Sequence, residues 1–208
     1  MAQTAADTGW RGSVELWLNA AYNFLLESGV DAVRILPLAK KLKLSRTSFY
    51  WFFKDRDELL EGLVALWRDK NTGNFVKQAD AYADTVVEAV LNVTDCWFDV
   101  DLFDSKLEFA VRSWALQSED VQAEVKKADA KRLAGLAALF KRYGHDEMSA
   151  DVRARTIYLL QIGYISMQTS EPMQLRMSRI AKYVEIYTDQ IPKQHELDRF
   201  YARHGHRG

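Results

Sequence analysis

The chain has 208 residues, 48% hydrophobic and 27% charged, which is enough apolar content for a sizeable core without covalent staples. Lysine and arginine number 28 against 29 acidic residues, a formal net charge of −1, so bulk charge singles out no class of partner. The lone cysteine, Cys96, excludes an intramolecular disulfide framework and a multi-cysteine zinc site, and three prolines with ten glycines argue against a many-turned β-sandwich.

A reduced, cytoplasmic protein is expected. The opening MAQTAADTGW has no basic stretch followed by an apolar core, so no secretory signal is expected there. The longest uncharged stretch, Thr156 to Ser170, has fifteen residues, short of the roughly 20 that a membrane span needs.

Apolar spacing is helical nearly throughout. Leu16, Ala20, Ala21, Phe24 and Leu25 form one stripe, and Gly29 stops that helix. A short helix, Pro37 to Leu42, opens on proline at a favourable first position. After Lys43 and Leu44, Ser45 can cap a second short helix, Arg46 to Phe52. Asp55, with Glu58 three residues on, has the form of a capping box for a fourth helix, whose apolar face is Leu59, Leu60, Leu63, Leu66 and Trp67. A joint between the two parts is expected within or after this fourth helix, near Asn71-Thr72-Gly73-Asn74.

Further helices are predicted over about Asp84 to Phe98 and over Ser105 to Ala115. A long one is capped by Ser118, with acids in its first turn, Lys141 and Arg142 in its last, and Gly144 after it. Ser149 can cap the next, ending near Gln168, and Pro172 can open the last long helix before Pro192. The fold class is all-α, about nine helices. Residues 1–55 form a three-helix N-terminal domain, a fourth helix from 56 connects, and 56–208 form a larger helical domain.

Charge is distributed unevenly. Between Arg34 and Arg56 lie Arg34, Lys40, Lys41, Lys43, Arg46, Lys54 and Arg56 against one acid, Asp55. A basic segment on a mildly acidic body is the footprint of a nucleic-acid-binding module, although a solvated lysine-rich face would look the same. Two short helices joined by a three-residue turn read as a helix-turn-helix. The second offers Arg46, Thr47, Tyr50 and Trp51 on one side and leaves Phe49, Phe52 and Phe53 to pack. Such a helix fits the major groove with its N-terminal side chains at base edges.

The run Leu38 to Leu60, and above all Phe53-Lys54-Asp55-Arg56-Asp57-Glu58-Leu59-Leu60 after an aromatic-rich helix, resembles the DNA-binding signature of the tetracycline-repressor (TetR) family of bacterial transcription regulators. The resemblance covers Val14 to about Trp67. It implies base contacts from Arg46, Thr47 and Trp51 and phosphate contacts from Ser48, Tyr50 and Lys54. The chain departs from the family at the turn, where Lys43 replaces the usual glycine. Lys43 must tolerate the left-handed region or use another turn, and it is either a further phosphate contact or an exposed turn residue without a role. Phe52 stands where histidine is common and is expected to be partly buried.

Double-stranded DNA, a second copy of the chain and an unidentified small-molecule effector are the partners the resemblance implies, with no membrane. The last two long helices would form a four-helix bundle with their symmetry mates through Ile157, Gly163, Ile180, Val184 and Tyr187, unless that stripe is intrachain core. A pocket is expected among Trp97, Phe98, Trp114, Tyr158, Gln161 and Tyr164, with Tyr158 and Gln161 as polar anchors. The implied function is a ligand-responsive regulator, in the family's usual mode a repressor. The alternative is a helical dimer that binds an apolar ligand or a protein without reading an operator.

No enzyme motif is present: H-E-x-x-H, G-x-S-x-G and phosphate-cradling glycine loops are all missing from the sequence. Cys96 reads as a small buried residue rather than a nucleophile, His204 and His206 as part of a disordered basic tail rather than a metal site, and no cofactor or metal is expected.

Overall fold

The computed structural model describes residues 12–206, and every regular element among them is helical. The expectation about a signal segment falls on residues 1–10, outside the described residues. Contacts divide the chain into two compact units that meet between Ala65 and Leu66. That division lies inside the fourth helix, beyond the boundary at 55 and ahead of residues 71–74, the places expected from sequence.

The N-terminal unit contains α1 (Val14–Ser28), α2 (Ile35–Leu42), α3 (Arg46–Phe49) and most of α4 (Arg56–Trp67). Ser13 caps α1 by accepting from the Leu16 amide at 3.2 Å, and Gly29, at φ 78°, ends it. The buried face of α1 is Trp17, Ala20, Ala21 and Leu25, so the stripe is rotated toward Trp17, and Leu16 and Phe24 are only half-buried. Helix α2 starts at Ile35, two residues before Pro37. Proline is tolerated there because the first-turn amides have no intrahelical acceptor.

Helix α3 is a single turn, shorter than the predicted Arg46–Phe52; residues 50–52 form a turn rather than its continuation. Its order comes from packing. Phe49 is fully buried, edge-on to Trp17 at 5.3 Å and stacked on Phe53 at 5.3 Å. Phe52 is partly buried, as expected. The Asp55 carboxylate accepts from the Glu58 amide at 3.0 Å, but Glu58 reaches back to the amide of Lys54 rather than of Asp55, a box one residue wider than the usual form. A Cβ added to Gly62 would sit 2.9 Å from Leu18 Cδ2, which shows how closely α4 approaches α1.

The second unit starts with the last turn of α4. The expected joint at residues 71–74 is instead unbroken helix: α4 widens into a π-helical stretch, Arg68–Gly73, and continues as α5 (Asn74–Asp80). Asn71 reads as a breaker because its amide competes for backbone partners, but here that amide is used elsewhere. It donates to Glu108 Oε2 at 2.9 Å and to the Asp104 carbonyl at 3.1 Å, and its oxygen accepts from the Asp104 amide at 2.9 Å.

Next come α6 (Val86–Asp95), α7 (Ser105–Ala115), α8 (Glu119–Arg142), α9 (Glu147–Ser166), α10 (Met173–Ser178), α11 (Ile180–Thr188) and α12 (Gln194–Arg203). Ser118 caps α8 and Gly144 follows it at φ 87°. Helix α9 is capped by Asp146, not Ser149; its carboxylate accepts from the Ser149 amide at 2.8 Å. The helix expected from Pro172 is broken at Arg179 into α10 and α11. The main core of this unit gathers Phe75, Val90, Phe103, Leu136, Phe140, Ile157 and Phe200.

Helix α12 and the residues after it correct the reading of a disordered tail. Glu196 accepts from the Lys193 amide at 2.7 Å and from Thr85 Oγ1 at 2.6 Å. His204 lies 2.7 Å from Asp95 and packs on Phe200 and Phe98, while Arg203 Nε stands 2.9 Å from the same carboxylate. The apolar Phe200 and the Asp95 charge therefore anchor this end of the chain, which low complexity around Gly205 had obscured.

Candidate nucleic-acid interface and cavity

In the N-terminal unit the two short helices are joined through Lys43, which adopts the left-handed region at φ 56°, ψ 37°. The chain thus keeps the turn that glycine would make, without glycine. The amides of Lys43 and Leu44 satisfy the last carbonyls of α2, the latter bonding to Ala39 at 2.9 Å. Ser45 caps α3, accepting from the Ser48 amide at 3.1 Å.

This geometry sorts the expected DNA contacts. Arg46, Thr47, Tyr50, Trp51, Lys43 and Lys54 are all exposed, grouped on the turn-and-helix segment, with Trp51 at 62% exposure despite its size. Arg46 donates to the Tyr50 hydroxyl at 3.1 Å and lies over its ring, so the two side chains hold each other on the open face. Ser48 is the correction: it is buried, its hydroxyl 2.9 Å from that of Ser45, because it falls on the inward side of α3 beside Phe49. Two of the seven basic residues are also engaged locally. Arg56 donates to the carbonyls of Val33 at 2.6 Å and Val30 at 2.8 Å, and Arg34 to that of Asp31 at 2.8 Å.

In the second unit a cleft of about 520 Å³, its open mouth included, is lined by residues of α6, α9, α10 and α11 and their flanks. It contains Trp97, Phe98, Gln161 and Tyr164 of the expected set. Trp114 and Tyr158 do not line it. Trp114 lies on α7, partly buried, and Tyr158 turns inward to donate to Asp129 at 2.6 Å and accept from Arg112 and Arg132 at 3.0 Å each. Of the residues expected at a dimer interface, Ile157 is core, and Ile180, Val184 and Tyr187 are buried and form cleft wall. Their 3–4 spacing marked the inner face of α11, not an outer one. Only Gly163 lies on a partly open surface, with nothing within 4 Å of a Cβ placed there.

Among the wall residues that sequence reasoning missed are Glu171, Arg176, Arg179 and Tyr183. It also missed a buried ionic cluster. Glu108 and Arg132 are both fully buried and bonded at 2.8 and 3.1 Å. Glu108 further accepts from Trp67 Nε1 at 2.7 Å, Asn71 and Arg112, while Arg132 lies between the rings of Trp67 and Phe103, 5.3 Å from each. Burial alone would push the Glu108 carboxyl up, but the charge and hydrogen bonds of Arg132, then of Arg112 and Asn71, hold it below its ordinary value. The available signal was Glu108 and Arg112, four apart on an otherwise apolar face. Cys96 is fully buried, and burial pushes its thiol up to about 12, which makes it a packing residue and not a nucleophile.

The described residues thus form a capped helix-turn-helix with its polar side chains outward and an all-helical unit with a cleft. Residues 18–63 match the profile of bacterial regulatory proteins of the tetR family. That likeness is confined to the N-terminal unit, whose helix-turn-helix it covers. The fold of the chain is similar to a crystal structure assigned to the TetR-family transcriptional regulators from Mesorhizobium loti MAFF303099. That match has a TM-score of 0.58 and 15% identity, and covers 91% of this chain and 95% of the other. The TetR family repressor AlkX from Dietzia sp. strain DQ12-45-1b, implicated in biodegradation of n-alkanes, matches at TM-score 0.48 and 18% identity, over 88% of this chain and 100% of the other. Among curated proteins no sequence match is found. No helix among the described residues is long and apolar enough to cross a membrane.

Proposed function

We propose that the protein represses transcription as a homodimer on a palindromic operator and that a small molecule bound in the cleft of the second unit releases it. The observation that carries the first part is the segregation of α3 and its turn. Arg46, Thr47, Tyr50 and Trp51 stand outward over Phe49 and Phe53, which form the core beneath. In this reading Arg46, Thr47 and Trp51 reach base edges, while Tyr50, Lys54 and Lys43 hold phosphates. The Ser48 side chain is withdrawn from that list and acts instead on Ser45.

One such head makes few contacts, so two copies on adjacent half-sites are expected. The homodimer reading is supported by the outer face of α9, where Val152, Thr156, Leu159, Gly163 and Met167 follow helical spacing, together with exposed Ile186 of α11. These residues replace the buried set inferred from sequence. An isologous contact across this face suits a two-fold operator.

The test is a gel shift on the DNA upstream of the protein's own gene, across a salt series. Tight, competitor-resistant binding of two protomers per site supports an operator-specific repressor. Weak binding that is equal on every sequence, both there and after selection from random DNA, sinks the operator reading and favours a helical dimer with another partner.

A further inference from the structure

The cleft walls have a charge pattern that a purely apolar ligand would leave uncompensated. Three charged side chains line it among the described residues: Arg176, Arg179 and Glu171. Glu171 Oε1 accepts from Arg179 at 2.6 Å, so these two neutralise each other. Arg176 is different. It lies half-buried with its guanidinium 4.5 Å over the Phe98 ring and donates to the Trp97 carbonyl at 3.0 Å, and among the described residues it forms no ion pair. Burial holds it below the ordinary guanidinium range, with the nearby Tyr164 and Glu171 acting in the opposite direction but not offsetting the lost water. Within the same cleft, Glu171 Oε2 is buried with no hydrogen-bond partner. An unsatisfied buried acceptor is an unfavourable arrangement unless a donor arrives.

From this arrangement we infer that the cleft binds a small aromatic monocarboxylate bearing a hydroxyl or N–H group. The inference rests on the proposed role of the cleft as the effector site and names the effector's chemistry. The carboxylate pairs with Arg176, whose planar fork suits two parallel hydrogen bonds. The ring lies among Trp97, Phe98, Tyr164 and Tyr183, where offset or edge contacts are available on several sides. The ligand's donor hydrogen goes to Glu171 Oε2. An organic cation would also find aromatic faces here, but it would meet Arg176 as a like charge, and the one carboxylate among the described wall residues is already held by Arg179.

The test uses calorimetry on the full-length protein with four probes of similar size: 3-hydroxybenzoate, benzoate, benzamide and benzyltrimethylammonium. Benzoate is expected to bind at least tenfold tighter than benzamide or the cation, with 3-hydroxybenzoate tighter again. Arg176→Gln is expected to remove the advantage of benzoate over benzamide while leaving benzamide within about twofold, with a melting curve confirming that the variant folds. Because the four probes are compared on the unaltered chain, the charge preference is tested even if the variant fails to fold. Equal or tighter binding of benzamide or the cation, or binding by none of the four, overturns the inference. A gel shift with the same probes separates the two readings. Carboxylates that bind through Arg176 yet leave DNA binding unchanged uphold the ligand class and overturn the proposed release mechanism.

Discussion

At Lys43, backbone conformation and the proposed phosphate contact pull in opposite directions. Its left-handed backbone costs a non-glycine residue about 1–2 kcal/mol, partly offset because glycine would lose more freedom on folding. Lys43→Gly is therefore expected to stabilise the protein by roughly 0.5–1 kcal/mol, read as a higher denaturation midpoint. If Lys43 holds a phosphate, the same change lowers the salt slope of DNA binding by about one unit, and an unaltered slope removes it from the interface. Arg46 is held against Tyr50 in the free protein. Arg46→Ala is expected to lose about 1–3 kcal/mol on one operator and little on random DNA, checked by competition binding. The sequence made most of these positions legible because turn, cap and aromatic spacing are local properties. Ser48 was misplaced because a four-residue helix has only one inward side, and whether position 48 or 47 falls on it depends on where Phe49 packs.

The α4-to-α5 helix and its neighbours are held by the Glu108–Arg132 cluster, where breaking one member leaves a charge buried without its partner. Arg132→Met is expected to destabilise the protein by about 3–5 kcal/mol, measured by urea unfolding. The pH dependence follows from the direction of the Glu108 shift. A carboxyl held below its unfolded value contributes stability that is fully present above that value, near 4.5, and is lost as pH falls through the lower folded one. Acid unfolding monitored by circular dichroism should therefore show a component below pH 4.5 that Glu108→Gln flattens. None of this cluster was anticipated, since its members come from α4, the π-helical stretch, α7, α8 and α9, and only the tertiary fold brings them together. The same limit explains the stripe on α11: periodicity identifies an apolar face but does not say whether the other side of it is this chain or another.

For the molecule as a whole, the exposed face of α9 makes a clear prediction. Leu159→Asp, at a position 57% exposed, should leave the melting behaviour of the protomer nearly unchanged at low concentration while shifting sedimentation from dimer to monomer. Operator affinity should fall with it, since each half-site would then be bound alone. Fold class and head were readable from pattern because helical period, caps and a basic segment recur at fixed offsets. The cleft was only half readable: aromatic residues such as Trp97 and Trp114 look alike in sequence, and which of them faces a cavity depends on helix rotation. Arg176 and Glu171 escaped notice because charged side chains near a proline read as surface.

The division of labour within α3 has a consequence for how such a protein can change its address. The residues that order this turn, Phe49 and Phe53 over Trp17, are different from those that face outward, Arg46, Thr47 and Trp51. Substitutions at the outward set leave the packing beneath them intact, so on the proposed reading a new operator can be acquired one base pair at a time by a protein that stays folded at every step. Duplicated copies of the gene could drift to separate targets along that route, each keeping the same cleft and, with it, the proposed response to one class of ligand.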